Sequence, residues 1–112
     1  MQVYDYFRSS ACYRLRIALN IKQLQPDYVP VDLRKGEHQA PAYRAVNPQG
    51  AVPVLVENGV VVTQSLAAIE YLDECYPEPP LLPPDASGKA RVRSIAFAIA
   101  CDIHPLNNLR VL

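Results

Sequence analysis

Two serines and a cysteine stand where a short apolar run gives way to a helical pattern, in FRSSACYRLRIALN (residues 7–20). The free amides and the macrodipole of a helix N-terminus make a site for negative charge. A serine hydroxyl there either caps the helix by accepting from a first-turn amide or turns outward and donates to an anion. Ser9 and Ser10 together can do both. A thiolate carried in by a ligand would be stabilised at such a place, because helix N-termini depress thiol pKa. An ordinary N-cap followed by a helix with solvated arginines uses the same residues.

Two further stretches suit related chemistry. In GAVPVL (residues 50–55), Pro53 opens a strand. A cis bond there would leave the N–H and C=O of Val52 free to clasp an extended peptide as one more strand. A trans-proline entering an edge strand is the alternative. In TQSLAAIEYL (residues 63–72), Ser65 starts a second helix and so provides a second anion site or a second cap. Gln64 beside it both donates and accepts. Two helix N-termini and a backbone clasp are what a small anionic peptide with a thiol would need.

The elements that must carry these groups follow from periodicity. Residues 2–6 suit a short strand. Cys12, Leu15, Ala18 and Leu19 recur at helical steps, so a helix is expected from Ser9 or Ser10 to about Lys22. Residues 27–33 read as a second strand, with Pro30 pointing to an edge position. Residues 34–48 are irregular, with one short helix around Pro41 to Val46. Two apolar runs, Val54–Val56 and Val60–Val62, flank Asn58-Gly59, a strong hairpin signal. A helix is expected from Ser65 to about Tyr76, with Leu66, Ile69, Leu72 and Tyr76 on one face. Five prolines in the eight residues 77–84 make a stiff linker, and a last helix is expected from Ala86 to about Ala100, ended or kinked by Pro105.

The chain has 112 residues, half of them hydrophobic, and a formal net charge of zero. That suffices for one compact domain with its own core. Balanced charge argues against a nucleic-acid partner. No apolar run approaches a membrane span, and the N-terminus begins with strand-like sequence rather than a signal segment, so no membrane association and a cytoplasmic location are expected. Cys12, Cys75 and Cys101 are odd in number and widely spaced. That spacing argues against a disulfide framework and against a zinc site, so no metal is expected.

FRSSACYRLRIALN, NPQGAVPVL, QSLAAIEYL, LLPPD and DIHPLNN resemble, in the same order and spacing, the zeta class of glutathione transferases. The resemblance covers the whole chain. It implies an α/β fold: a thioredoxin-like β-α-β-α-β-β-α domain over residues 1–80 that binds glutathione as cofactor. Residues 85–112 would then be the truncated beginning of an all-helical domain. Ser9 is the first choice for stabilising the glutathione thiolate and Ser10 the second. The resemblance brings Ala11, Cys12, Tyr13 and Arg14 of the same helix start into the cofactor-binding segment. Val52, before a cis-Pro53, would pair with the glutathione backbone, and Gln64 and Ser65 would hold its γ-glutamyl end. His38 falls near the cofactor, and His104, Asn108, Leu109 and Arg110 fall on another contacting segment. Arg8 is placed against a substrate carboxylate.

The implied reaction is cis–trans isomerisation of a maleyl diketo acid, maleylacetoacetate or maleylpyruvate, by a homodimeric enzyme. The glutathione thiolate adds to the cis double bond, the resulting single bond rotates, and elimination restores glutathione. Where the class commonly writes serine-serine-cysteine, this chain has Ala11, with the cysteine one residue later. One residue turns a helix by roughly 100°, so Cys12 is expected to pack rather than to replace that thiol.

Two other readings use the same residues. Laying a redox CxxC motif on the helix start puts Ser9 at the attacking position and Cys12 at the resolving one. Without an attacking cysteine, dithiol exchange is not available. A glutathione-binding or dimerisation module without turnover is the alternative of another class, because residues 85–112 hold too little of a helical domain to complete a substrate pocket. An exposed apolar face on the 86–100 helix, prone to pair with another chain, is expected in that case.

Overall fold

Four strands, β1 (Gln2–Asp5), β2 (Asp27–Pro30), β3 (Val54–Glu57) and β4 (Val60–Thr63), form one sheet in the order β2-β1-β3-β4. The computed structural model describes residues 1–107. β1 and β2 run parallel through the crossover helix α1 (Ser10–Ile21), whereas β1–β3 and β3–β4 are antiparallel. Helices α2 (Pro41–Val46) and α3 (Ser65–Cys75) complete the β-α-β-α-β-β-α order expected from the sequence. Pro30 ends the edge strand β2, where its missing amide breaks no ladder. Asn58 and Gly59 turn the hairpin at φ 50° and 79°, the two positive dihedrals that such a tight turn requires.

Alternation along paired strands puts Val3 and Leu55 on one face of the sheet and Tyr4 and Val54 on the other. Val54 packs with Val31 and with Tyr43 of α2, and the Tyr43 ring meets Tyr4 edge-on at 5.7 Å between centroids. Helices α1 and α3 pack on each other, and α3 lies against β3 and β4. α1 buries Cys12, Leu15, Ala18 and Leu19, the stripe its periodicity predicts. Each fully buried leucine is worth about 2 kcal/mol of transfer free energy. The buried line of α3 is Ser65, Ala68 and Leu72. Of the expected face, Leu72 is fully buried, and Leu66, Ile69 and Tyr76 are half-buried.

β2 is shorter than the expected 27–33. After Pro30 the chain makes one more bond, Val31 N–H to the Asp5 carbonyl at 2.8 Å, and then turns. Asp32 caps a single 3-10 turn (Leu33–Lys35) through its carboxylate, and a second such turn follows at Glu37–Gln39. A buried lysine closes this part of the molecule. Lys22, at the C-terminal end of α1, donates to Asp73 of α3 at 2.7 Å and to the Pro79 carbonyl at 2.5 Å, with its side chain wholly covered.

The chain divides into two units, Met1–Pro79 and the part from Pro80 onward. In the second, Asp85 caps helix α4 (Ala86–Phe97) by accepting from the Gly88 amide at 2.8 Å. The helix continues past its expected end in wider π-type turns to Ile103, and a 3-10 turn carries the chain through Pro105. Pro105 lacks the amide that an α-helix would need there. Val92, Ile95, Ile99 and Ile103 are exposed. No described helix is long and apolar enough to cross a membrane.

Candidate functional site

The strand register brings three of the singled-out segments to one end of the sheet. Asp5 pairs with Pro30, Tyr4 with Val54, and Val54 with Thr63. The chain leaving β1 toward Ser9, the Val52-Pro53 bond entering β3, and Gln64-Ser65 leaving β4 therefore share that end. Both long helices of the unit, α1 and α3, begin there, so two positive dipole ends point to one region.

At the start of α1, Ser9 is the N-cap, and its side-chain oxygen accepts from the Cys12 amide at 3.2 Å. A hydroxyl that accepts in this way still has its own hydrogen to donate. Ser10 is the first helical residue and is exposed, Ala11 and Arg14 are half-buried, and Tyr13 is exposed. The Cys12 side chain is fully buried. Burial pushes its thiol pKa up; the neighbouring Ser9 hydroxyl works in the opposite direction and does not prevail. Cys12 thus packs in the core, as the one-residue offset predicts. Arg16 is not merely a solvated helix residue. It pairs with Asp5 at 2.5 Å and donates to the Phe7 carbonyl, tying the first turns of α1 back to β1.

The Val52–Pro53 bond is cis. Pro53 is buried, and the half-buried Val52 packs on the cluster of Val31, Tyr43 and Val54. Ser65 is the first residue of α3 rather than its cap. The cap position belongs to Gln64, at φ 74° and ψ 126°, and no side chain caps the helix. That backbone conformation costs a non-glycine residue about 1–3 kcal/mol and is characteristic of ligand sites. The Gln64 side chain donates to the Gln49 side-chain oxygen at 2.9 Å. Ser65 is 7% exposed.

His38 lies in the second 3-10 turn. A β-carbon on Gly50 would stand 3.0 Å from the His38 carbonyl oxygen, so the two backbones are in near contact and a side chain at Gly50, at φ 64°, would be both crowded and strained. His38 Nδ1 is buried and has no hydrogen-bond partner among the described residues. A buried polar atom left in that state is uncommon and fits a place that a ligand completes.

Arg8 is exposed, with its guanidinium 5.4 Å from the Phe7 ring centroid; Arg34 stands over the same ring at 5.7 Å. A concavity of about 390 Å³ opens there, lined by Asp5, Tyr6, Phe7, Asp32, Arg34 and Glu37 among others. It lies beside Phe7 and includes none of Ser9, Val52, Gln64 or Ser65. His104 sits in the second unit, half-buried. Asn108, Leu109 and Arg110 lie outside the described residues. No cluster of three metal-ligating side chains occurs among the described residues.

Sequence reasoning passed over Gln49 and Asn47, the residues that hold Gln64 and the loop before Val52. The turn residues in NPQG were the available signal, since Asn followed by Pro and Gly marks a loop built around the asparagine side chain.

The family described as glutathione S-transferase, N-terminal domain, matches residues 8–75. The chain is 50% identical to maleylpyruvate isomerase of a Ralstonia species over 112 residues, covering 100% of this chain and 53% of the relative. It is 51% identical to maleylacetoacetate isomerase of Pseudomonas aeruginosa, covering 100% of this chain and 54% of that one. Among solved structures it is similar to the holo form of maleyl pyruvate isomerase, a bacterial glutathione transferase of the zeta class. There the TM-score is 0.95 at 50% identity, over 99% of this chain and 52% of the other. It is equally similar, with a TM-score of 0.95 at 45% identity, to a Methylobacterium maleylacetoacetate isomerase with bound malonate and glutathione, over 99% of this chain and 52% of that one. The chain spans about half the length of these relatives.

Proposed function

Because the chain belongs to the glutathione S-transferase N-terminal domain family, we propose that it binds glutathione and works in the glutathione-dependent cis–trans isomerisation of a maleyl diketo acid. The observation that carries the reading is the convergence of Ser9, Val52-Pro53 and Gln64-Ser65 at one sheet end, with the N-termini of α1 and α3. The start of α3 without a side-chain cap fits glutathione there, because its first-turn amides suit a peptide carboxylate.

When bound, glutathione supplies the thiolate that adds reversibly to the cis double bond. The chain's residues make that thiolate available and orient it. Ser9 keeps accepting from the Cys12 amide and donates its hydroxyl hydrogen to the sulfur, while the α1 N-terminus adds its positive end. Ser10 is the second donor. The Val52 backbone groups pair with the peptide, and Gln64, Ser65 and the amides of the first turn of α3 hold the γ-glutamyl carboxylate. Arg8, next in the chain to Ser9 and exposed, takes a substrate carboxylate and offsets charge that develops on the diketo acid. The cytoplasmic location is supported by three unpaired cysteines, two of them exposed, which suit a reducing compartment. The homodimer is carried by the resemblance.

Calorimetric titration with glutathione, followed by isomerase assays on maleylpyruvate and maleylacetoacetate with and without glutathione, tests this reading. Binding together with turnover that vanishes without glutathione supports it. Binding without turnover leaves the module, and absence of binding removes both.

A further inference from the structure

Asn47 is 2% exposed, one of the few buried polar residues described. Its Nδ2 donates to the Ala51 carbonyl at 2.9 Å, its Oδ1 accepts from the Gln49 amide at 3.0 Å, and its own carbonyl accepts from the Gly50 amide at 2.9 Å. The whole 47–51 loop is wound around this one side chain. The Tyr43 hydroxyl adds a second donor to the Ala51 carbonyl.

Two donors on one carbonyl fix the peptide plane that contains it. That plane also holds the Val52 amide, because C=O and N–H of a planar trans peptide point in opposite directions. Among the described residues the cis bonds are Val52–Pro53 and Glu78–Pro79, so Ala51–Val52 is trans. Holding the Ala51 oxygen inward therefore aims the Val52 N–H outward, away from Tyr43 and Asn47. The second arm runs through Gln49. Its amide is held by Asn47 Oδ1, and its side-chain oxygen accepts from Gln64 Nε2 at 2.9 Å. One buried amide thus reaches two of the segments that meet at the sheet end.

We propose that Asn47 is a positioning residue for the glutathione site. It aims the Val52 amide through the Ala51 carbonyl and steadies Gln64 through Gln49. This rests on the glutathione reading above, and it makes the affinity of the site depend on a residue that touches no ligand.

The test is nuclear magnetic resonance of the full chain titrated with glutathione, following the Val52 backbone amide and the Gln64 side-chain amide. In the unsubstituted chain both signals shift on titration. Asn47→Ala is expected to keep a dispersed, folded spectrum, to lose the Val52 response and to weaken glutathione roughly tenfold or more, a difference of about 1.4 kcal/mol. Asn47→Asp retains the acceptor for Gln49 but has no hydrogen to give Ala51, so it is expected to lose the Val52 response and keep that of Gln64. Gln49→Ala, an exposed substitution that leaves the buried loop whole, is expected to do the reverse. A Val52 response retained in either Asn47 variant, with glutathione still bound, overturns the proposal alone. If Asn47→Ala does not fold, the pattern in Asn47→Asp and Gln49→Ala decides, and a Gln64 response unchanged in Gln49→Ala overturns it. No response in the unsubstituted chain overturns the glutathione reading and this proposal together.

Discussion

The Ser9 side-chain oxygen lies 3.2 Å from the Cys12 amide nitrogen and accepts its hydrogen. One oxygen therefore caps α1 and presents a donor at the same place. The Cys12 thiol beside it is neutral and a weak acceptor, so an incoming thiolate is the better partner for the Ser9 hydrogen. The two roles separate by substitution. Ser9→Asp retains a cap and adds a favourable negative charge to the helix start. It is expected to unfold within about 0.5 kcal/mol of the unsubstituted chain and to lose glutathione binding by charge repulsion. Urea unfolding and calorimetry check the two halves; full binding with a carboxylate at this position would remove Ser9 from the site.

Lys22→Met is expected to cost about 3 kcal/mol. Its ammonium bonds both Asp73 and the Pro79 carbonyl with no side-chain exposure, and methionine fills the space but removes the ammonium from both. Chemical unfolding measures it. A loss below about 0.5 kcal/mol, the scale of surface ion pairs, would mean the pair is solvated.

Gly50→Ala combines two penalties. A left-handed backbone costs an alanine about 1–2 kcal/mol, and the new β-carbon would stand 3.0 Å from the His38 carbonyl oxygen, a backbone atom that cannot swing aside. The variant is expected to lose at least about 1 kcal/mol and to weaken glutathione by shifting the 36–40 turn. Thermal unfolding and titration check both effects.

Among the three cysteines, Cys75 and Cys101 are exposed and Cys12 is buried. Ellman's reagent is expected to titrate two thiols quickly in the native chain and the third only in denaturant. The raised pKa of Cys12 has a thermodynamic consequence. Above the ordinary thiol value of 9.0 the unfolded chain releases this proton while the native chain still holds it. Stability contributed by the neutral thiol is therefore present below that value and is lost as pH rises through the native one. Burial raises the Tyr43 phenol in the same way, at still higher pH. Unfolding midpoints are expected to fall from pH 9 upward, and less steeply in Cys12→Ala.

The parts of the fold legible in the sequence are those set by one residue type or one period. Asn58-Gly59 announced the hairpin because few other residues accept two positive dihedrals. Cys12, Leu15, Ala18 and Leu19 announced the buried face of α1 because all four lie on one helical stripe. What was not legible depends on partners distant in sequence. The buried line of α3 runs through Ser65 and Ala68, small residues that an apolar period alone does not mark as core. The Lys22–Asp73 bond, the positive φ of Gln64 and the winding of 47–51 around Asn47 arise only once the sheet has brought those segments together. The motif at Ser9 was readable as a cap from its own residues, whereas its connection to glutathione came from resemblance.

The most direct measurement is the ionisation of glutathione's thiol on the protein, read by ultraviolet absorbance of the thiolate as pH is varied. Free thiols titrate at about 8.5–9. With the unsubstituted chain the bound thiol is predicted to titrate at least about one unit lower, and in Ser9→Ala to return most of the way toward the free value. A bound thiol that titrates like free glutathione, or a depressed value unchanged in Ser9→Ala, would contradict the role given to the start of α1.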